Sequence, residues 1–294
     1  MKYDLFTLIH NTVDTLSATP HVVQPNQEAW WIIQSIIKKT RAQLLVTREI
    51  TLSDAQEKKL SILIDRRTNK REPIQYLLGS VPFCGLTISV KQPILIPRPE
   101  TEEWCTKLIY ELQYIRSPLK ILDLCTGTGC IALALAKAFP TATVIGVDID
   151  EDAIKLAKKN AVDNKINNVE FKLSDLFSAV QKEKFDIIVG NPPYLSPIEW
   201  ESLPLDVKAW EAQKALIGGK DGLELYRKIA QEAPKFLTAR VSPFKMVRKP
   251  PRIALEIGFR QYEDVHTLMK EALPENEIEL WKDLSEKPRV TVLR

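Results

Sequence analysis

After Glu102 the chain sets short apolar runs against helical stretches in alternation: "LKILDLCTGTGCIALALAKAF", "ATVIGVDIDEDAIKLAKKNAV", "VEFKLSDLF", "KFDIIVGNPPY" and "RIALEIG". Strands separated by helical crossovers pair in parallel, so the pattern predicts a parallel sheet covered by helices on both faces, an α/β fold. The tail "EIELWKDLSEKPRVTVLR" reads instead as two adjacent strands, an antiparallel hairpin that closes one edge.

The part before Glu102 has a different composition. All ten glycines lie after Leu78, which leaves the first 78 residues little turn chemistry beyond Pro20, Pro25 and Pro73 and favours helices. Trp30, Ile33, Ile36 and Ile37 recur at helical spacing, and Ser53 or Asp54 is an N-cap candidate. These apolar residues read as core. The expected organisation is a helical bundle over 1–73, a β-hairpin linker over 74–100 punctuated by Gly79, Pro82, Gly85 and Pro93, and the sheet domain over 101–294.

The 294 residues carry 41 Lys plus Arg against 38 Asp plus Glu, a formal charge of +3 that is too small for a nucleic-acid coat. Cys84, Cys105, Cys125 and Cys130 form no C-x-x-C pair and no zinc spacing, so free thiols and no metal are expected. No apolar run approaches the roughly 20 residues that span a bilayer, and the N-terminus lacks a secretory pattern. No membrane association or secretion is expected.

Two loops carry the chemistry. In "ILDLCTGTGCIA" a strand turns through Gly127 and Gly129 into a helix near Cys130, so a ligand can rest on bare backbone and on free helix N-H groups. Asp148, about 20 residues beyond the glycines, stands where an acid accepts from ribose hydroxyls. Gly127, Gly129 and Ala132 also satisfy G-x-G-x-x-A, the dinucleotide fingerprint. Asp123 disfavours that reading, because an acid there repels a pyrophosphate and suits a cationic ligand; S-adenosylmethionine carries an amine and a sulfonium. Asp175 and Leu176 of "SDLF" are placed to border an adenine, although such a stretch alone is more often an N-cap.

The second loop is "GNPPY". Asn191 offers a side-chain carbonyl, Pro192 a backbone carbonyl, and Tyr194 an aromatic face, all on a chain that Pro192 and Pro193 stiffen. Two acceptors and a flat face suit a planar NH2 group. Its delocalised nitrogen gains positive charge as it is methylated, and acceptors already aimed at its protons stabilise that charge. Adenine N6, guanine N2 and a glutamine amide all remain open on these residues.

The D-x-x-T-G-x-G form resembles the first motif of Rossmann-like class I methyltransferases. Further, "EPIQYLLG", "FCGLTISV", "LIPRPETE", "DLCTGTGCIALALA", "VDID", "SDLF", "GNPPY" and "ALIGGKDGLELYRKI" resemble the HemK/PrmC family over nearly the whole chain. That resemblance implies a class I methyltransferase fold and N5-methylation of the glutamine of a Gly-Gly-Gln motif in a peptide-chain release factor. The helical domain would help recognise the partner. Asp123, Cys125, Thr126, Gly127, Thr128, Gly129, Asp148, Ile149, Asp175, Leu176 and Asn191 would meet S-adenosylmethionine. Asn191, Pro192, Pro193 and Tyr194 would hold the glutamine, with Pro97 and Arg98 framing the site.

Three departures stand out. Cys125 holds a place often taken by glycine, Leu176 replaces a larger residue, and the basic stretch "APKFLTARVSPFKMVRKPPR" replaces a short turn. Its Arg240, Lys245, Arg248, Lys249 and Arg252 could touch ribosomal RNA or the release factor, with a solvated loop as the preferred reading. Such an insert resembles fungal mitochondrial members of the family and implies mitochondrial residence, with the cytoplasm as the alternative. A DNA or RNA amino methyltransferase is the second function considered, and a catalytically silent binding module the third.

Overall fold

The computed structural model describes residues 1–115, 118–239 and 249–294. Arg240, Lys245 and Arg248 of the basic stretch lie outside these residues. The described chain divides into two compact units, one of Met1–Ser80 with Pro204–Trp210, the other of Val81–Leu203 with Glu211–Arg294.

The first unit runs β1 (Lys2–Asp4), α1 (Leu5–Ser17), α2 (Pro25–Ile37), α3 (Arg41–Val46), β2 (Glu49–Thr51), α4 (Asp54–Thr68) and α5 (Ile74–Leu78). Ser53 caps α4 with a reciprocal box, its hydroxyl accepting from the Gln56 N-H and the Gln56 side chain accepting from the Ser53 N-H. Trp30, Ile33 and Ile36 are buried with Leu5, Leu8, Leu16 and Leu44 in one core. The expected linker from residue 74 begins instead as helix α5. "IQYLL" contains no turn residue, and the helix stops only where Gly79 adopts φ 80°.

In the second unit the hairpin β3 (Ser80–Phe83) and β4 (Leu86–Ser89) precedes α6 (Pro99–Leu112), which starts on its proline as N1 chemistry favours. Then come β5 (Lys120–Leu124), α7 (Cys130–Ala138), β6 (Thr143–Asp148), α8 (Glu151–Asp163), β7 (Val169–Leu173), β8 (Ile187–Gly190), α9 (Pro197–Glu201), α10 (Leu205–Trp210, counted with the first unit), α11 (Glu224–Phe236), β9 (Ile253–Glu256), α12 (Tyr262–Ala272), β10 (Ile278–Lys282) and β11 (Pro288–Leu293).

Seven strands form one sheet in the order β10-β11-β9-β8-β5-β6-β7. Strands β5 to β9 are parallel, and the closing hairpin is antiparallel. Alternation along β5 sends Ile121 into one core with Leu133 and Val144, and Leu122 and Leu124 into the opposite core with Tyr226 and Ile229. From β5 the chain winds outward through β6 and β7, then crosses back to β8 on the other side. That reversal opens a crevice at the carboxyl ends of β5 and β8, where open α/β sheets bind ligands.

Candidate active site

Strand register gathers the two loops. Leu124 is the last paired residue of β5 and faces Gly190 of β8 on one side and Val147 of β6 on the other. The glycine loop, Asp148 and Asn191 therefore leave three neighbouring strands at the same level.

Between Leu124 and Cys130 the turn is held by the Thr126 N-H on the Val147 carbonyl at 2.9 Å and the Gly129 N-H on the Thr126 carbonyl at 2.8 Å. Gly129 has φ 81°, and a Cβ there would meet the Phe171 ring at 2.9 Å, so only glycine lets α7 start this close to β7. Cys125, at φ 55°, packs its side chain on the core that contains Leu122 and Tyr226. Burial pushes its thiol well above the ordinary range, so it is no nucleophile. Buried Asn160 of α8 donates to the Thr128 carbonyl at 2.9 Å and also to the Ser89 carbonyl of β4, tying the loop to the hairpin.

Asp123 is fully buried. Its Oδ2 accepts from the Thr126 hydroxyl at 2.5 Å and the Ala132 N-H at 3.2 Å, while its Oδ1 has no hydrogen-bond partner among the described residues. Burial pushes the carboxyl up to about 7 against the pull of those two bonds. A buried acceptor left open beside a glycine turn calls for a donor, and a cationic amine serves it best. The residues therefore fit the amino-acid end of S-adenosylmethionine.

Asp148 uses Oδ2 on the Gly127 N-H at 2.8 Å and Oδ1 on the Asp150 N-H at 2.9 Å, which aims the carboxylate across the loop. Each oxygen keeps a lone pair for a ligand hydroxyl. Ile149 beside it is 67% exposed, and Asp175 is exposed at the end of β7. Leu176, expected to border an adenine, is packed into the core with Phe177 and Val180. Ile149 is then the exposed apolar side chain among these positions.

The Asn191–Tyr194 loop is fastened from behind. The N-H groups of Tyr194 and Leu195 both donate to the Leu216 carbonyl, at 3.1 and 2.8 Å, and the Gln261 amide donates to the Tyr194 carbonyl at 2.8 Å. A Cβ on Gly218 would stand 2.2 Å from the Pro193 carbonyl oxygen, and one on Gly222 2.2 Å from that of Tyr194. The glycines of "IGGKDG" thus admit the loop backbone. Pro192 is buried, and burial pushes the Tyr194 hydroxyl up to about 12, leaving a neutral phenol. The Asn191 amide donates to the Thr101 hydroxyl at 3.5 Å.

Pro97 and Arg98 lead into α6. Arg98 binds both oxygens of Glu211, at 2.7 and 2.5 Å, and Glu211 is itself buried. Burial raises the Glu211 carboxyl while Arg98 holds it down. Sequence reasoning missed Glu211, Thr101, Gln261 and Glu256. Only Glu256 had a visible signal, an acid in the otherwise apolar strand "IALE". Of the basic residues of that stretch, Lys249 and Arg252 are described: the Lys249 carbonyl accepts from Arg294 at 2.8 Å, and Arg252 donates to the Thr238 carbonyl and flanks β9.

Among the described residues no cluster of His, Cys, Asp or Glu could hold a metal ion, and no helix is long and apolar enough to cross a membrane. Residues 7–79 match the PrmC N-terminal domain, and residues 105–205 match the methyltransferase small domain. The chain is 37% identical to the release factor glutamine methyltransferase of Thermodesulfovibrio yellowstonii, covering 91% of this chain and 92% of the relative. It is 34% identical to that of Coxiella burnetii, over 97% of this chain and 96% of the relative. A solved methyltransferase from Pyrococcus furiosus shares the fold with TM-score 0.50 at 20% identity, covering 71% of this chain and 88% of that one.

Proposed function

The chain belongs to the release factor glutamine methyltransferase family, and from that premise we propose that it methylates the N5 nitrogen of the glutamine in the Gly-Gly-Gln motif of a peptide-chain release factor. It is an S-adenosylmethionine-dependent protein-glutamine methyltransferase. The observation that carries the reading is that the rigid acceptor loop, Asn191–Tyr194, leaves β8 directly beside β5, the strand that carries Asp123, whose Oδ1 has no hydrogen-bond partner among the described residues.

When bound, the cofactor supplies an electrophilic methyl group on its sulfonium. Asp123, the Thr126–Gly129 backbone and Asp148 would hold it. The Asn191 Oδ1 and the Pro192 carbonyl accept the two N-H bonds of the substrate amide, with the Tyr194 ring against its plane. Positive charge grows on the amide nitrogen during transfer, and these fixed acceptors stabilise it more than they stabilise the neutral amide. No base is needed before attack, because the alkylated nitrogen is acidic and its proton leaves afterwards.

The test is methyl transfer from labelled S-adenosylmethionine to a purified release factor, alongside its Gln-to-Ala variant and mixed DNA and RNA. Label on the wild-type factor alone is expected; label on nucleic acid alone would sink the proposal. Asn191→Ala should lower kcat roughly 100-fold or more, the scale for losing one fixed polar group at a developing charge, with the fold intact by circular dichroism.

Mitochondrial residence, with the ribosome as its setting, belongs to the same proposal and is supported by the basic stretch, which resembles the inserts of fungal mitochondrial members of the family. Leu5, Leu8, Ile9 and Leu16 are core residues of the first unit, so an address read there is one that stays on the protein. A fusion of residues 1–40 that fails to carry a reporter into mitochondria removes this part. For the ribosome, charge reversal at Arg248 and Lys249 that leaves methylation unchanged across salt concentrations does the same.

A further inference from the structure

The Asn191 loop needs an amide that faces one way, and an asparagine side chain is nearly symmetric about its last bond. Turned over, Asn191 would present its own NH2 to the NH2 of the substrate, donor against donor. Nothing in the "GNPPY" backbone forbids that turn. The prohibition comes from two residues far away in the chain.

Thr101, on the first turn of α6, is 2% exposed, and Glu256, at the end of β9, is also 2% exposed. The Thr101 hydroxyl donates to Glu256 Oε2 at 2.6 Å, and the same oxygen accepts the Trp104 indole N-H at 2.8 Å. A hydroxyl has one proton, and here it is committed to the carboxylate. Toward Asn191, Thr101 can show only lone pairs. The atom of Asn191 at 3.5 Å from it must therefore be the nitrogen, which turns Oδ1 the other way. The long contact suits a group that selects an orientation rather than one that clamps it. Strand β9 is steadied in turn by the Tyr226 hydroxyl on the Glu256 backbone carbonyl at 2.6 Å.

We propose that Thr101, polarised by Glu256, is a positioning residue for methyl transfer: it fixes the Asn191 amide with its oxygen toward the substrate. The inference rests on the reading of Asn191 as the acceptor of the substrate amide. Neither Thr101 nor Glu256 has to touch the substrate or the cofactor for this role. A chain with the same loop but no oriented acceptor behind it would spend part of its time with the amide reversed and inactive.

The experiment is a double-mutant cycle in the methyl-transfer assay, with kcat and KM for the release factor measured separately and melting temperature recorded for each variant. Thr101→Val keeps the shape and removes the hydroxyl; kcat should fall about tenfold or more while KM changes little, and the melting temperature drops because buried Glu256 loses a donor, without loss of the fold. Thr101→Ser restores the hydroxyl and should return kcat to within about threefold of wild type. In an Asn191→Ala background Thr101→Val should cause no further loss, because the group it orients is gone. If valine does not fold at this position, Thr101→Ala gives the same readout. Full kcat in Thr101→Val, failure of serine to rescue, or losses that multiply in the double variant would each overturn the inference. Full activity of Asn191→Ala would instead overturn the reading of the loop on which it rests.

Discussion

Two buried charges, Arg67 in the first unit and Asp123 in the second, are handled in opposite ways. In the first unit Arg67 is 5% exposed and every arm of its guanidinium is occupied: Nε and Nη2 bind Glu28 at 2.6 and 3.0 Å, and Nη1 reaches Asp206 at 3.3 Å. Neighbouring Arg66 binds buried Glu72 with two bonds, at 2.7 and 2.6 Å. In the second unit Asp123 is more deeply buried, yet one of its oxygens meets no donor among the described residues. A charge kept for architecture is closed by its own chain. Asp123 is left open at one oxygen among the described residues, and burial raises its carboxyl to about 7. Burial alone, common to both, does not separate them.

The largest break in this contrast should come from opening the closed set. Arg67→Met leaves Glu28 buried without its partner and is expected to lower unfolding stability by about 3–5 kcal/mol, the usual cost of breaking a buried pair. The double variant Arg67→Met with Glu28→Leu should recover most of that loss, since a well-packed apolar pair is often no worse than the ions it replaces. Denaturant titration of the three proteins checks both statements. A single variant as stable as wild type would show that the pair is effectively solvated.

Removing the open charge should act on binding instead. Asp123→Asn keeps an oxygen for the Thr126 hydroxyl and the Ala132 N-H but cannot offer an anion to an amine. Loss of one charge-assisted hydrogen bond, about 1.5–3 kcal/mol, weakens S-adenosylmethionine binding roughly 10- to 100-fold, with unfolding stability nearly unchanged. Calorimetric titration measures the first and thermal melting the second. Unaltered affinity would mean that the open oxygen faces no part of the cofactor.

How much of this could be read along the chain depends on range. The glycine turn and the "GNPPY" loop were legible because their chemistry is local: a strand end, a left-handed or proline-stiffened backbone, and a polar side chain within a few residues. The sheet was legible for the same reason, each strand announcing itself by its own apolar run. What stayed hidden depends on partners far off in sequence. Thr101 and Glu256 meet across 155 residues, and Arg98 and Glu211 across 113. Pro204–Trp210 joins the first unit although it lies deep within the second half of the chain, where the Trp210 indole donates to the Lys70 carbonyl. The burial of Leu176 was hidden for a different reason. "SDLF" places an apolar residue at a strand end without saying which side it faces; in the structure Leu176 has φ 45° and its side chain is in the core.

The smallest expected effect sharpens the contrast most directly, because it titrates the open charge itself. Burial has raised Asp123 to about 7 in the folded protein. An amine cofactor binds the ionised form, so its affinity should fall as pH drops through 7, by roughly tenfold between pH 8 and pH 6 for a single group. In the ligand-free protein the sign for stability is reversed. The folded state holds the proton more tightly than the unfolded chain, so this group favours folding below its unfolded value, near 3.8, and that contribution is lost as pH rises toward 7. Asp148 and Glu256 are raised by burial too and add slopes of the same sign, so the informative quantity is the difference between wild type and Asp123→Asn. Affinity for S-adenosylmethionine should decline toward acid in the first and stay nearly flat in the second from pH 8 to 6. Equal slopes in the two proteins would assign the proton to another group and leave Asp123 as closed, in effect, as Arg67.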